Sequence, residues 1–83
     1  MGTGRLRGVI DTNVVFEGLT RSGSAPGVIV DAWLAGLFDA CISNALVYEY
    51  YQTLSRKLSP HRWLKVRPTL KLLLACAEPI DIH

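Results

Sequence analysis

Apolar positions in this chain fall into blocks separated by small polar residues, and the blocks differ in period. Val9, Ile10, Val14, Val15 and Phe16 make a nearly continuous run of strand formers, broken by Asp11, Thr12 and Asn13. That pattern suits a strand covered on both faces and predicts a first strand over residues 7–15. Residues 17–27 then read as a loop with room for a short helical turn, because Arg21-Ser22-Gly23-Ser24 is flexible by composition. Pro26, just after Ser24 and Ala25, suits the first turn of a helix. Val28, Ile29, Ala32, Trp33 and Leu37 recur along it at helical spacing, and Gly36 marks its end.

The short apolar segment 38–43 predicts a second buried strand that closes on Ser43. Ser43 or Asn44 is then placed to cap a helix with the stripe Leu46, Val47, Tyr50, Tyr51, Leu54 and Leu58, bounded by Pro60. Pro68 opens a further helix through Leu70, Leu72, Leu73, Leu74 and Ala77; Pro79 ends it, and residues 80–83 begin an extended segment. Two buried strands joined by a helix make a βαβ unit, so the expected class is α/β with a parallel sheet.

Composition narrows the picture. The 83 residues allow one small domain, and 49% hydrophobic against 19% charged residues excludes a disordered chain. A chain this short buries only roughly 60–65% of its unfolded surface. The apolar excess therefore predicts a partner, a second copy or a missing remainder of the fold. No run has the length of a membrane span, and no signal peptide is evident, so a cytoplasmic protein is expected. Cys41 and Cys76, far apart in apolar surroundings, read as reduced core thiols, and no His/Cys cluster has zinc spacing.

The net charge of +2 is unevenly spread. Residues 52–71 contain no acid but hold Arg56, Lys57, Arg62, Lys65, Arg67 and Lys71, whereas Asp11, Glu17, Asp31, Asp39 and Glu49 lie earlier. An acidic site with a basic flank suits a metal-dependent enzyme acting on a polyanion; a solvated helix face has the same composition.

Ligands of open α/β sheets collect at the carboxyl ends of the strands. Asp11 is expected at that end of the first strand and Ser43 at that end of the second, with Glu49 projecting back from the following helix. Asp11, Asn13, Ser43 and Glu49 are thus candidates to converge. Two facing carboxylates repel, and a hard divalent cation such as Mg²⁺ or Mn²⁺ relieves the repulsion. The plainer alternatives are that Asp11 caps a turn with Thr12 and Asn13, that Glu49 is an ordinary exposed acid and that Ser43 is a helix cap. Tyr50 and Tyr51 fit packing positions, while Tyr48 sits off the stripe.

The segment Val9-Ile10-Asp11-Thr12-Asn13-Val14-Val15, followed by the strand ending in Ser43 and the helix bearing Glu49, resembles PIN-domain ribonucleases, including the toxins of toxin–antitoxin pairs. The resemblance implies a three-layer α/β/α sandwich around a parallel sheet, incomplete at its C-terminus as one partial domain over residues 1–83. It implies Mg²⁺- or Mn²⁺-dependent cleavage of RNA, with Asp11 and Glu49 as catalytic metal ligands. Thr12, Asn13 and Ser43 become supporting or substrate-positioning groups. Arg56, Lys57, Arg62, Lys65 and Arg67 become candidate contacts to the RNA backbone. The resemblance also implies an antitoxin as partner, and a second copy or other protein is expected to cover an exposed sheet edge.

Complete members of that family carry further acids beyond the point where this chain stops, and Asp81 lies in strand-like alternation instead of on a helix. Two acids hold Mg²⁺ weakly, so little or no nuclease activity is expected from this polypeptide alone. A truncated, non-catalytic RNA- or partner-binding remnant is the first alternative. The second is a phosphatase of the haloacid dehalogenase type with Asp11 as nucleophile; Asn13 stands where that chemistry needs an acid, and Glu49 would have no task.

Overall fold

The computed structural model describes residues 7–21 and 23–79. Strand β1 (Arg7–Gly8) is followed by helices α1 (Thr12–Thr20) and α2 (Ala25–Leu34), strand β2 (Asp39–Ile42), helices α3 (Asn44–Lys57) and α4 (Pro60–Ala75), and strand β3 (Glu78–Pro79). The three strands form one sheet in the order β1-β2-β3, and both pairings are parallel. Arg7 stands opposite Asp39 and Gly8 opposite Ala40; Cys41 stands opposite Glu78 and Ile42 opposite Pro79. Each crossover carries two helices, and the fold is the expected α/β class with a parallel sheet.

The first strand is much shorter than residues 7–15. Asp11 has extended dihedrals (φ −61°, ψ 144°), and its carbonyl accepts from the N–H groups of Val14 (3.0 Å) and Val15 (3.1 Å). The chain therefore turns from extended to helical at Asp11, and Val14, Val15 and Phe16 belong to α1. The sequence carries the helical period as well: Thr12, Val15, Phe16 and Leu19 recur at i, i+3, i+4 and i+7. Thr12 and Val15 on that face are buried. Helix α1 likewise absorbs the first half of the expected loop over 17–27.

Ser24 caps α2 by accepting from the Gly27 N–H at 3.1 Å. Gly18 lets α1 and α2 approach closely, since a Cβ there would lie 2.7 Å from the Pro26 carbonyl oxygen. The buried face of α2 is Gly27, Val30 and Trp33, one step round from the expected stripe; Val28, Ile29 and Leu37 are exposed. The face is set by this close approach to α1, which turns Gly27 and Val30 inward. Gly36 follows α2 with φ +76°, a conformation that suits glycine.

Strand β2 lies between the other two and alternates in burial: Ala40 and Ile42 are covered, Asp39 and Cys41 half-covered. On the flanks, Arg7 of β1 and Glu78 of β3 form an exposed ion pair. The core gathers Val15, Val30, Trp33, Ala40, Ile42, Tyr50, Leu54, Leu58, Leu70 and Leu73. Both cysteines are free thiols, but Cys41 is half-buried and Cys76 exposed, so neither is the core thiol expected.

Helix α4 also departs from expectation. Pro60 begins it, with Ser59 accepting from the Arg62 N–H at 3.3 Å, and Pro68 lies inside it. An interior proline removes one helix bond and costs about 3 kcal/mol. Pro68 and Leu64 both lie on the exposed side, and the full burial of Leu70 and Leu73 on the same helix offsets that cost. The expected extended segment 80–83, including Asp81, lies outside the described residues.

Candidate functional site

Three consecutive residues where β1 gives way to α1 meet two consecutive residues of α3. The Thr12 hydroxyl donates to a carboxylate oxygen of Glu49. The Tyr50 hydroxyl donates to the Ile10 carbonyl at 2.5 Å. Residues 49 and 50 thus hold the chain on either side of Asp11, across a sequence separation of about forty residues.

Asp11 occupies the N-cap position of α1, yet its carboxylate makes no capping bond. The side chain is exposed, so its oxygens remain open to solvent or a ligand. Glu49 is exposed as well and has one oxygen engaged by Thr12. Tyr50, next to Glu49 in α3, is fully buried. Its phenol is pushed up to about 12, first by desolvation and then by the negative charges of Glu49 and Asp11. Both carboxylates therefore act on one buried hydroxyl, which stays protonated and able to donate.

The local sequence explains this placement. Ser43 caps α3, its hydroxyl oxygen accepting from the Leu46 N–H at 3.2 Å, so the helix starts directly after β2. Tyr50 and Leu54, one turn apart, are buried, which fixes the rotation of α3 and leaves Glu49 beside the core at the surface. Ser43 acts as a cap here. Asn13 is exposed in the first turn of α1 and makes no side-chain hydrogen bond among the described residues.

Thr12 and Glu49 are thus bonded, with Asp11 next to Thr12 in the chain, while the candidate basic residues lie further along α3 and on α4. Arg56, Lys57, Arg62, Lys65 and Arg67 are all exposed. Along α3, Arg56 and Lys57 lie roughly 10–12 Å beyond Glu49. Lys57 has its ammonium 5.0 Å from the centre of the Phe16 ring, a cation–π contact. Lys65 lines a cavity of about 350 Å³ between α1, α2 and α4, with Leu19, Asp31 and Leu34 among its other walls.

The donor set suits a hard cation, because it offers carboxylate oxygens and no sulfur or imidazole. Among the described residues, however, no group of three or more His, Cys, Asp or Glu side chains is placed to hold a metal ion. Tyr50 is the residue whose part in this arrangement the sequence hid. A tyrosine on an apolar stripe signals packing, and nothing local announces a bond to a carbonyl forty positions away.

The sequence model of the PIN domain matches residues 7–83. No curated protein and no solved structure matches the chain. Among the described residues, no helix is long and apolar enough to cross a membrane.

Proposed function

The chain belongs to the PIN-domain family, whose fold is nuclease-like, and from that premise we propose that it is a Mg²⁺- or Mn²⁺-binding RNA-cleaving domain of the toxin type, with Asp11 and Glu49 as its acidic pair. The observation that carries this reading is the grip of α3 on both sides of Asp11, through Thr12–Glu49 and Tyr50–Ile10. It ties Glu49 and its neighbour Tyr50 to the two residues that flank Asp11, whose own carboxylate makes no capping bond. A divalent cation bound there would supply positive charge for a phosphodiester oxygen. Thr12 orients Glu49 for that task, and the exposed Asn13 is available to a substrate. The exposed cations of α3 and α4 add affinity for a polyanion without reading its sequence.

Two carboxylates hold Mg²⁺ weakly, because that ion keeps its waters unless several anionic oxygens surround it. Slow or absent turnover by this polypeptide follows, and RNA or protein binding without cleavage is the accompanying role. An antitoxin or a second copy is the protein partner that fits, given exposed Val28, Leu37, Leu64 and Leu72. The family match lends no support to the phosphatase alternative.

Calorimetric titration with Mn²⁺, run beside a cleavage assay on single-stranded RNA, tests the proposal. Weak binding lost in both Asp11→Ala and Glu49→Ala, with little cleavage, is expected. Undiminished binding in both variants would remove the site, and robust turnover abolished by Asp11→Asn would refute the low activity.

A further inference from the structure

We infer that Tyr50 is a positioning residue of this site, fixing where Asp11 stands relative to Glu49 through its hydrogen bond to the Ile10 carbonyl. The inference rests on the acidic-pair reading. Asp11 makes no capping bond to α1 through its carboxylate. Its backbone is instead secured from two directions. Its carbonyl is taken by Val14 and Val15 of α1, and the peptide before it is taken by Tyr50 at 2.5 Å. Tyr50 adjoins Glu49 on the same helical turn, so any displacement of α3 that moves Glu49 also moves the hydroxyl that holds Ile10. The two carboxylates therefore shift as a unit.

Burial makes the link rigid. Tyr50 is 0% exposed, so its ring has no room to swing and its hydroxyl has no water to exchange for the carbonyl. Thr12 closes the other side by bonding Glu49 itself. A packing tyrosine would need only the ring; it is the phenol oxygen that positions Asp11. Groups that orient ligands from outside the coordination sphere are commonly worth 10–100-fold in metal affinity.

The test uses the full chain as Tyr50→Phe, which keeps the ring and removes only the hydroxyl. Ser59→Ala, which loses the α4 cap away from the site, serves as a destabilised control, and Asp11→Asn as the control for the site. Two quantities are read: amide exchange at Val14 and Val15 in metal-free protein, and Mn²⁺ affinity. In Tyr50→Phe, exchange at Val14 and Val15 should quicken about fivefold, the equivalent of one hydrogen bond. Mn²⁺ affinity should fall about tenfold. Ser59→Ala should lower Tm, leave Mn²⁺ affinity unchanged and quicken exchange at Val14 and Val15 less than Tyr50→Phe does. Exchange in Tyr50→Phe that matches the unsubstituted chain overturns the inference, as does full Mn²⁺ affinity there when Asp11→Asn has lost it. Unchanged affinity in Asp11→Asn defeats the acidic-pair reading instead, and the positioning role falls with it.

Discussion

Helix α3 has two ends that differ in kind. Its first two turns begin on the Ser43 cap, bury Tyr50 and send Glu49 to meet Thr12, so each of these polar groups has its own partner. Its last turn carries Arg56 and Lys57, which continue into the exposed Arg62, Lys65 and Arg67 of α4. At the first end the polar side chains are bonded to partners; at the other, Leu54 and Leu58 hold the backbone while the charged side chains are exposed, Lys57 lying over the Phe16 ring. Directional chemistry needs the first kind of structure, because carboxylates must face one ligand at a set distance. Attraction to a polyanion needs only the second, because counterion release depends on charge number more than on geometry.

Raising the pH attacks the held end and gives the largest expected effect on stability. The Tyr50 phenol is near 12 in the folded protein against 10.0 ordinarily. Below about pH 10 it is protonated in both folded and unfolded chains, and its contribution is fully present. Between about 10 and 12 the unfolded chain alone releases the proton, so unfolding becomes progressively favoured. Denaturant midpoints followed across this range should fall more steeply in the unsubstituted chain than in Tyr50→Phe, which has no phenol to ionise. Parallel decline in the two would place the alkaline sensitivity elsewhere.

Neutralising the free end should leave the fold nearly untouched. Arg56→Gln, Arg62→Gln and Arg67→Gln, made singly, should each change stability by no more than about 0.5 kcal/mol, and the three are then combined in one chain. Binding to a single-stranded RNA should weaken, and the dependence of log affinity on log salt should flatten by roughly 0.7 for each phosphate no longer neutralised. An unaltered salt slope would show that these cations face solvent only.

Much of this was legible in the sequence where a local rule decides. Ser24 and Ser43 start the helices after them, Ile42 ends a buried strand, and Trp33 lies in the core. Legibility failed where two rules competed. Val14 and Val15 are strand formers, yet Asp11-Thr12-Asn13 is also a helix-start sequence, and the period through Thr12, Val15, Phe16 and Leu19 decided in favour of the helix. Pro68 signals a break, but core burial through Leu70 and Leu73 carries α4 past it. Within the site, expecting Asp11 and Glu49 at one sheet edge pointed to the segment that α3 bonds through Thr12 and Glu49. The Tyr50–Ile10 bond had no sequence signal, since only tertiary packing brings a phenol to a carbonyl forty residues away.

Whether Asp11 and Glu49 share one cation is read from paramagnetic broadening by substoichiometric Mn²⁺, followed residue by residue in the amide spectrum. Signals of residues 10–13 and of Glu49 and Tyr50 should vanish together and first, while those of Arg62 to Arg67 persist. Broadening of the Asp11 segment without that of Glu49, or a centre of broadening elsewhere in the molecule, would contradict the shared site.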